Sequence, residues 1–191
     1  RNSNDAHPPY LILGKSKGTA VNADTGVALN DVLGKIAFVG ADGTDRHNSG
    51  AEIFAKVDGS AGSNDLPTQL VFGTTADGGT SPTERMRISS AGNVGISTIP
   101  ESVLHINTSS SGGIGGKLII DNQASDAAGN GTEISFFNAS GASASGVANS
   151  RIRSVANGNT NGYSELQFWT YHASEGQRMT ISSAGNVGIG T

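Results

Sequence analysis

The 191-residue chain contains no cysteine, so disulfide staples and thiolate metal ligands play no part in it. Compartment is left open by this, since many extracellular proteins manage without cysteine. Aromatic residues are scarce at 5%, and the apolar set reaches only 35%, much of it alanine. Average globular chains carry about 45–50% by a count that also includes glycine. With 28 glycines and long runs of Ser, Thr and Asn, little large apolar material is left to bury. Small domains with thin cores are marginal alone, so burial is expected to be completed by further copies of the chain. No run of 18 apolar residues exists, which excludes a helical membrane span. The 12 basic and 16 acidic residues are scattered, for a net charge of −4, and no basic stripe suggests a nucleic-acid partner. The sequence opens at Arg1 without a signal-peptide pattern, and a fragment or processed piece is expected.

What the chain does have is a segment written twice. Ile88-Ser89-Ser90-Ala91-Gly92-Asn93-Val94-Gly95-Ile96-Ser97-Thr98 recurs 93 positions later as Ile181 to Thr191, with Ser97 against Gly190 as the single difference. Internal repetition at this length marks a building block and argues for an array of equivalent surfaces. Earlier parts agree as well: Ile36-Ala37-Phe38 with Ile134-Ser135-Phe136, Ile53 with Ile152, Leu70-Val71-Phe72 with Leu166-Gln167-Phe168, and Arg85-Met86 with Arg178-Met179. Even the leading strand is doubled, as Tyr10-Leu11-Ile12-Leu13 and Lys117-Leu118-Ile119-Ile120. The offset drifts between 93 and 107, as expected where loops vary in length and strands keep their order.

Each copy ends in a hairpin signal. Met86 and Ile88 alternate with Arg85, Arg87 and Ser89, giving one apolar face. Ser90-Ala91-Gly92-Asn93 tolerates positive φ, and Val94 and Ile96 restart the alternation. Met179, Ile181, Val187 and Ile189 do the same in the second copy, and all eight residues are expected to point inward. Gly95 and Gly188 sit between the apolar pairs, where a missing side chain permits close backbone approach. Further strands are predicted over 36–39, 51–57, 69–74, 103–106, 117–121, 132–138, 150–155 and 164–171. Asp42-Gly43, Asp58-Gly59, Asp77-Gly78, Asn130-Gly131 and Asn161-Gly162 mark turns between them. Residues 26–33 read as loop or a single turn. The expected organisation is a first β repeat over 1–98, a Ser/Gly-rich linker with a short strand over 99–116, and a second β repeat over 117–191.

Catalytic constellations are missing. Ser111-Gly112-Gly113-Ile114-Gly115-Gly116-Lys117-Leu118 lacks the leading Gly and the Ser/Thr after Lys that a phosphate loop needs, and a flexible linker fits it better. No Gly-x-Ser-x-Gly elbow occurs. His7, His47, His105 and His172 lack the close spacing of a metal pair. Asp42, Asp58 and Asp77 each precede Gly and read as turn formers, and no EF-type calcium loop appears. No enzyme activity, cofactor or metal is expected. One departure between the copies stands out. In 164–171, Leu166 and Phe168 share the core face, so Trp169 and Tyr171 face the opposite way, where the first copy has Gly73 and Thr75. Large aromatics on a second face need a partner. Subunit packing is the first expectation, and a stacking platform for a sugar ring is the second; Trp169 and Tyr171 are therefore the candidate ligand-binding residues.

Three stretches together resemble a repeat of bacteriophage tail-fibre and tail-spike proteins. They are 67–78 (Pro-Thr-Gln-Leu-Val-Phe-Gly-Thr-Thr-Ala-Asp-Gly), Glu84-Arg85-Met86-Arg87-Ile88, and Gly92-Asn93-Val94-Gly95-Ile96. Leu33 to Phe38, Gly40 to Gly43, Gly50 to Ile53 and Tyr10 to Thr19 share the likeness, and the second copy keeps mainly the strand skeleton and the terminal Gly-Asn-Val-Gly-Ile-Gly-Thr. Strands at short spacing with Gly-rich turns indicate an all-β fold, read from the repeat as two tandem β-rich repeats, each ending in a β-hairpin. The resemblance implies that they belong to a trimeric fibre. It also implies a virion protein, extracellular, that assembles as a homotrimer with other virion tail proteins and attaches to the host surface, including its polysaccharide. In such proteins the terminal element often precedes an intramolecular chaperone. Two alternatives stand beside this expectation: a polysaccharide-degrading tail spike with a carboxylate pair in a trimer groove, and a bacterial surface adhesin or filament built from the same unit.

Overall fold

The computed structural model describes residues 9–109, 111, 114–123, 128–137, 150–156, 163–172 and 174–190. Among these the protein is all-β, without helix. It divides into two units, Arg1–Lys117 and Leu118–Thr191. The first holds one six-stranded sheet in chain order: β1 (Val32–Val39), β2 (Ser49–Val57), β3 (Thr68–Thr74), β4 (Thr83–Ile88), β5 (Val94–Ile96) and β6 (Leu104–Ile106). The second holds a five-stranded sheet of β7 (Gly131–Phe136), β8 (Ser150–Ala156), β9 (Ser164–His172), β10 (Ser174–Ile181) and β11 (Val187–Ile189). Neighbours are antiparallel meander pairs, except β5 and β6, which run parallel.

The register repeats rung by rung. Ile36, Ile53, Phe72, Met86 and Ile96 lie directly opposite one another across the first sheet. Ile134, Ile152, Phe168, Met179 and Ile189 do so across the second. Side chains in directly opposed pairs share a face, so these rungs, with Leu70, Ile88, Val94 and Leu166, Ile181, Val187 beside them, form one inner apolar face per sheet. Both faces are left open to the same degree at two matched pairs. Leu70 and Leu166 are each 38% exposed, and Ile36 and Ile134 each 43%.

Turns repeat as closely as rungs. In both hairpins a glycine takes a left-handed φ, +83° at Gly92 and +82° at Gly185. The Gly92 N–H donates to Ser89 O and the Asn93 N–H to Ser89 Oγ; Gly185, Asn186 and Ser182 do likewise. At the start of each sheet Asn30 (φ +71°) and Gly129 (φ +91°) occupy matching positions, their N–H groups donating to Val57 O and Ala156 O. The left-handed residue is therefore Gly129, and Gly131 already belongs to β7, which moves the turn predicted at Asn130-Gly131 upstream. The turn predicted at Asn161-Gly162 lies outside the described residues.

Three further expectations need correction. Arg85 and Arg178 do not simply alternate with their neighbours. Each is the extra residue of a β-bulge, between the Phe72–Met86 and Gly73–Glu84 pairs and between the Phe168–Met179 and Trp169–Gln177 pairs. The bulged arginine donates from Nε to the same threonine in each copy, Arg85 to Thr74 Oγ1 at 3.1 Å and Arg178 to Thr170 Oγ1 at 2.8 Å. The leading segments 10–13 and 117–120 run as chain outside both sheets, pairing with no strand among the described residues. Val187 and Ile189 share the inner face but stand 56% and 76% exposed, since β11 is an edge strand. Their counterparts Val94 and Ile96 are half-buried, with β6 paired alongside.

Candidate functional site

The opposite, outer faces differ between the copies. In the first, Lys35, Phe54, Val71, Arg87 and Gly95 form the central rung, and the chain covers it itself. Val71 is fully buried and Gln69 is 5% exposed. Arg87 grips Glu84 through two hydrogen bonds and donates from Nη1 to Gln69 Oε1 at 3.1 Å. The Lys35 ammonium lies 5.7 Å from the Phe54 ring centroid and pairs with Glu52. Residues 98–100 cross over Gly95, where an added Cβ would lie 2.2 Å from Thr98 O; this is the close approach its sequence position implied. A shallow groove of about 400 Å³ beside this rung is lined by Lys56, Asp58, Gln69 and Arg87 among others.

In the second copy the equivalent face is polar and centred on Trp169. The register places Trp169 opposite Arg151 and Gln177, where the first copy places Gly73 opposite Glu52 and Glu84. The indole is half-buried and held on two sides. Its Nε1–H donates to Gln167 Oε1 at 2.9 Å, and Gln167 Nε2 in turn donates to Glu165 Oε2 at 3.2 Å. The Arg153 guanidinium lies 5.3 Å from the ring centroid, a cation–π geometry of about 0.5–1 kcal/mol at an exposed site. Arg153 Nε is 3.2 Å and Arg151 Nη1 3.7 Å from Glu133 Oε2. Tyr171, two residues on, is 40% exposed and opposite Glu175 in register.

Sequence reasoning placed Trp169 and Tyr171 together on the face opposite the apolar one, and the register does the same. It missed Arg151, Arg153, Glu133 and Gln167. The available signal was the alternation of β8, which puts both arginines on the outer face beside Trp169. Chemically, a fixed aromatic ring among guanidinium, amide and carboxylate groups offers a stacking surface with hydrogen-bonding partners at its margin.

Asp42 is a turn former. Its Oδ1 accepts from the N–H groups of Thr44 and Asp45 at 2.8 and 3.0 Å, and its Oδ2 from Asn48 Nδ2. The two backbone donors, Asp45 first, hold its carboxyl below the usual range. Among the described residues no group of three or more His, Cys, Asp or Glu could hold a metal ion.

No family model and no curated protein matches the chain. Among solved structures it is similar to the carboxy-terminal domain of the bacteriophage T5 L-shaped tail fibre, with a TM-score of 0.45 and 12% identity over 100% of this chain and 89% of that one. It is similar also to that domain with its intramolecular chaperone domain, with a TM-score of 0.46 and 12% identity over 99% of this chain and 61% of that one. The chain thus spans less than two thirds of the longer structure.

Proposed function

We propose that the chain is a structural or receptor-binding segment of a viral tail fibre, which assembles as a homotrimer and contacts the host surface without catalysis. The observation that carries this reading is the pair of inner apolar faces, matched in register and both left partly open. Burying apolar surface is the dominant favourable term in association. Three identical chains around one axis can bring such faces together in a closed arrangement, which also limits open-ended pairing of strand edges. The resemblance of residues 67–78 and 84–96 to tail-fibre repeats supports the fibre context, the virion location and contacts with other tail proteins.

Host contact is assigned to Trp169 and Tyr171. They lie on the face that assembly does not use, and Trp169 is already oriented by Gln167 and Arg153. That placement favours the sugar platform over subunit packing. Sedimentation equilibrium tests the assembly: a mass three times 19.3 kDa is expected, and a stable folded monomer overturns the reading. Replacing Trp169 and Tyr171 together by Ala tests the contact. Unchanged sedimentation with lost adsorption to host polysaccharide is expected; a weakened trimer would return both residues to subunit packing. Release of reducing ends from that polysaccharide by the assembled chain would replace the non-catalytic reading with a degrading spike.

A further inference from the structure

Two segments have the composition of strands and belong to neither sheet. None of residues 10–13 or 117–120 makes a backbone–backbone hydrogen bond among the described residues. Tyr10, Leu11 and Ile12 are 70%, 78% and 81% exposed, and Leu118 and Ile119 67% and 69%. Apolar residues at consecutive positions suit a strand covered on both faces.

Each segment is tied at its downstream end to the start of its own sheet. Leu13 lies over Gly34, where an added Cβ would come within 2.5 Å of Leu13 Cβ. Lys15 and Lys17 each reach Asp31 at 3.2 Å. In the second copy Asn122 Nδ2 donates to Gly131 O at 3.1 Å. Gly34 faces the inner side, so Leu13 sits over that face, and no backbone hydrogen bond ties its segment to the edge of β1 among the described residues. β1 and β7 are edge strands, and an edge strand presents a row of unpaired N–H and C=O groups.

We propose that each leading segment becomes a strand in trans, pairing with the free first-strand edge of a second copy of this chain: β1 for Tyr10–Leu13 and β7 for Leu118–Ile120. The inference rests on the assembly proposed above. A second copy is the occupant because donor and acceptor recur together. Each sheet is preceded by the same kind of apolar segment and begins with the same kind of unpaired edge, a match that identical chains satisfy twice over. Pairing in trans satisfies the backbone groups of segment and edge and covers apolar side chains that a single chain leaves in water.

The absence of cysteine makes the test clean. Ile12→Cys is combined in turn with Lys35→Cys, Ala37→Cys and Val39→Cys, oxidised, and run on a non-reducing denaturing gel. At least one pairing should give a covalent ladder of multiples of the single chain; single-chain species in all three overturn the proposal. Hydrogen exchange on the unmodified assembly needs no substitution. The amides of residues 11–13 and 118–120 should be protected by roughly 100-fold or more, as for paired strands. Unprotected amides in an intact trimer overturn strand exchange alone, whereas a monomer by sedimentation overturns both this inference and the assembly reading.

Discussion

The two repeats keep the same inner face and diverge on the outer one. On the inner face, rung follows rung with equivalent residues and even equal exposure at Leu70 and Leu166. On the outer face the first copy buries Val71 and folds its own loop over Gly95, while the second presents Trp169 among charged and amide groups. In the proposed assembly the inner surface is shared between copies and would tolerate little change, whereas a surface that each copy covers for itself is free to vary. The inner faces therefore read as assembly surface and the second outer face as a place for function.

The largest expected effect lies on the shared rung. Phe72→Ala and Phe168→Ala should each cost about 3–5 kcal/mol if both rings are well buried in the assembly, measured by denaturant unfolding of the trimer. Equal losses sharpen the equivalence of the copies; a loss confined to Phe72 breaks it.

Next comes an exchange on the outer face. A Cβ at Gly73 would lie 3.2 Å from Glu52 Cγ and 3.3 Å from Thr83 O, so Gly73→Trp should cost about 1–3 kcal/mol by overpacking. The reverse change, Trp169→Gly, should lower stability less and remove polysaccharide binding. Melting curves and adsorption on the same pair of variants check this.

Smaller still is the one difference within the duplicated segment. Ser97 (φ +58°) and Gly190 (φ +70°) both take left-handed backbone, each donating its N–H to the bulged arginine's carbonyl, Arg85 O or Arg178 O. Only glycine does so without a steric cost. Ser97→Gly should stabilise and Gly190→Ser destabilise, by about 1 kcal/mol or less, read as opposite shifts in melting temperature.

The smallest effect is electrostatic. At the start of each sheet the first copy has Asp31 where the second has Asn130, their carbonyls accepting from Val57 N–H and Ala156 N–H respectively. The Ala28 N–H, with Lys17 and Lys15 nearby, lowers the Asp31 pKa from 3.8 to about 2. A depressed carboxylate pKa stabilises the folded state above the unfolded value and loses that contribution as pH falls through the folded one. Unfolding followed from pH 5 to pH 2 should show this loss in the wild type and not in Asp31→Asn, with a modest amplitude because exposed pairs are weak.

Much of this was legible in the sequence because strands advertise themselves by alternation. Met86–Ile88 and Val94–Ile96 could be paired on paper, and the doubled segment carried the same pairing to Met179–Ile189. The strand signal reports side-chain pattern and is silent on the partner, which is why Tyr10–Leu13 and Lys117–Ile120 read as strands yet pair with no strand among the described residues. The bulges were hidden because one extra residue leaves the composition unchanged. The Arg–Thr separation gave no clue either, at 11 residues for Arg85 and Thr74 and 8 for Arg178 and Thr170. The Trp169 surroundings depend on cross-strand and diagonal neighbours such as Arg151 and Arg153, and these follow only once the β8–β9 register is known.

Single cysteines placed as matched pairs test the shared inner face most directly. Ile36→Cys and Ile134→Cys lie on it, and Lys35→Cys and Glu133→Cys lie one residue away on the exposed outer side of the same strands. Thiol labelling of the native assembly should leave both inner positions unreactive and label both outer ones. Rapid labelling of the inner pair in an intact, folded protein would contradict the account.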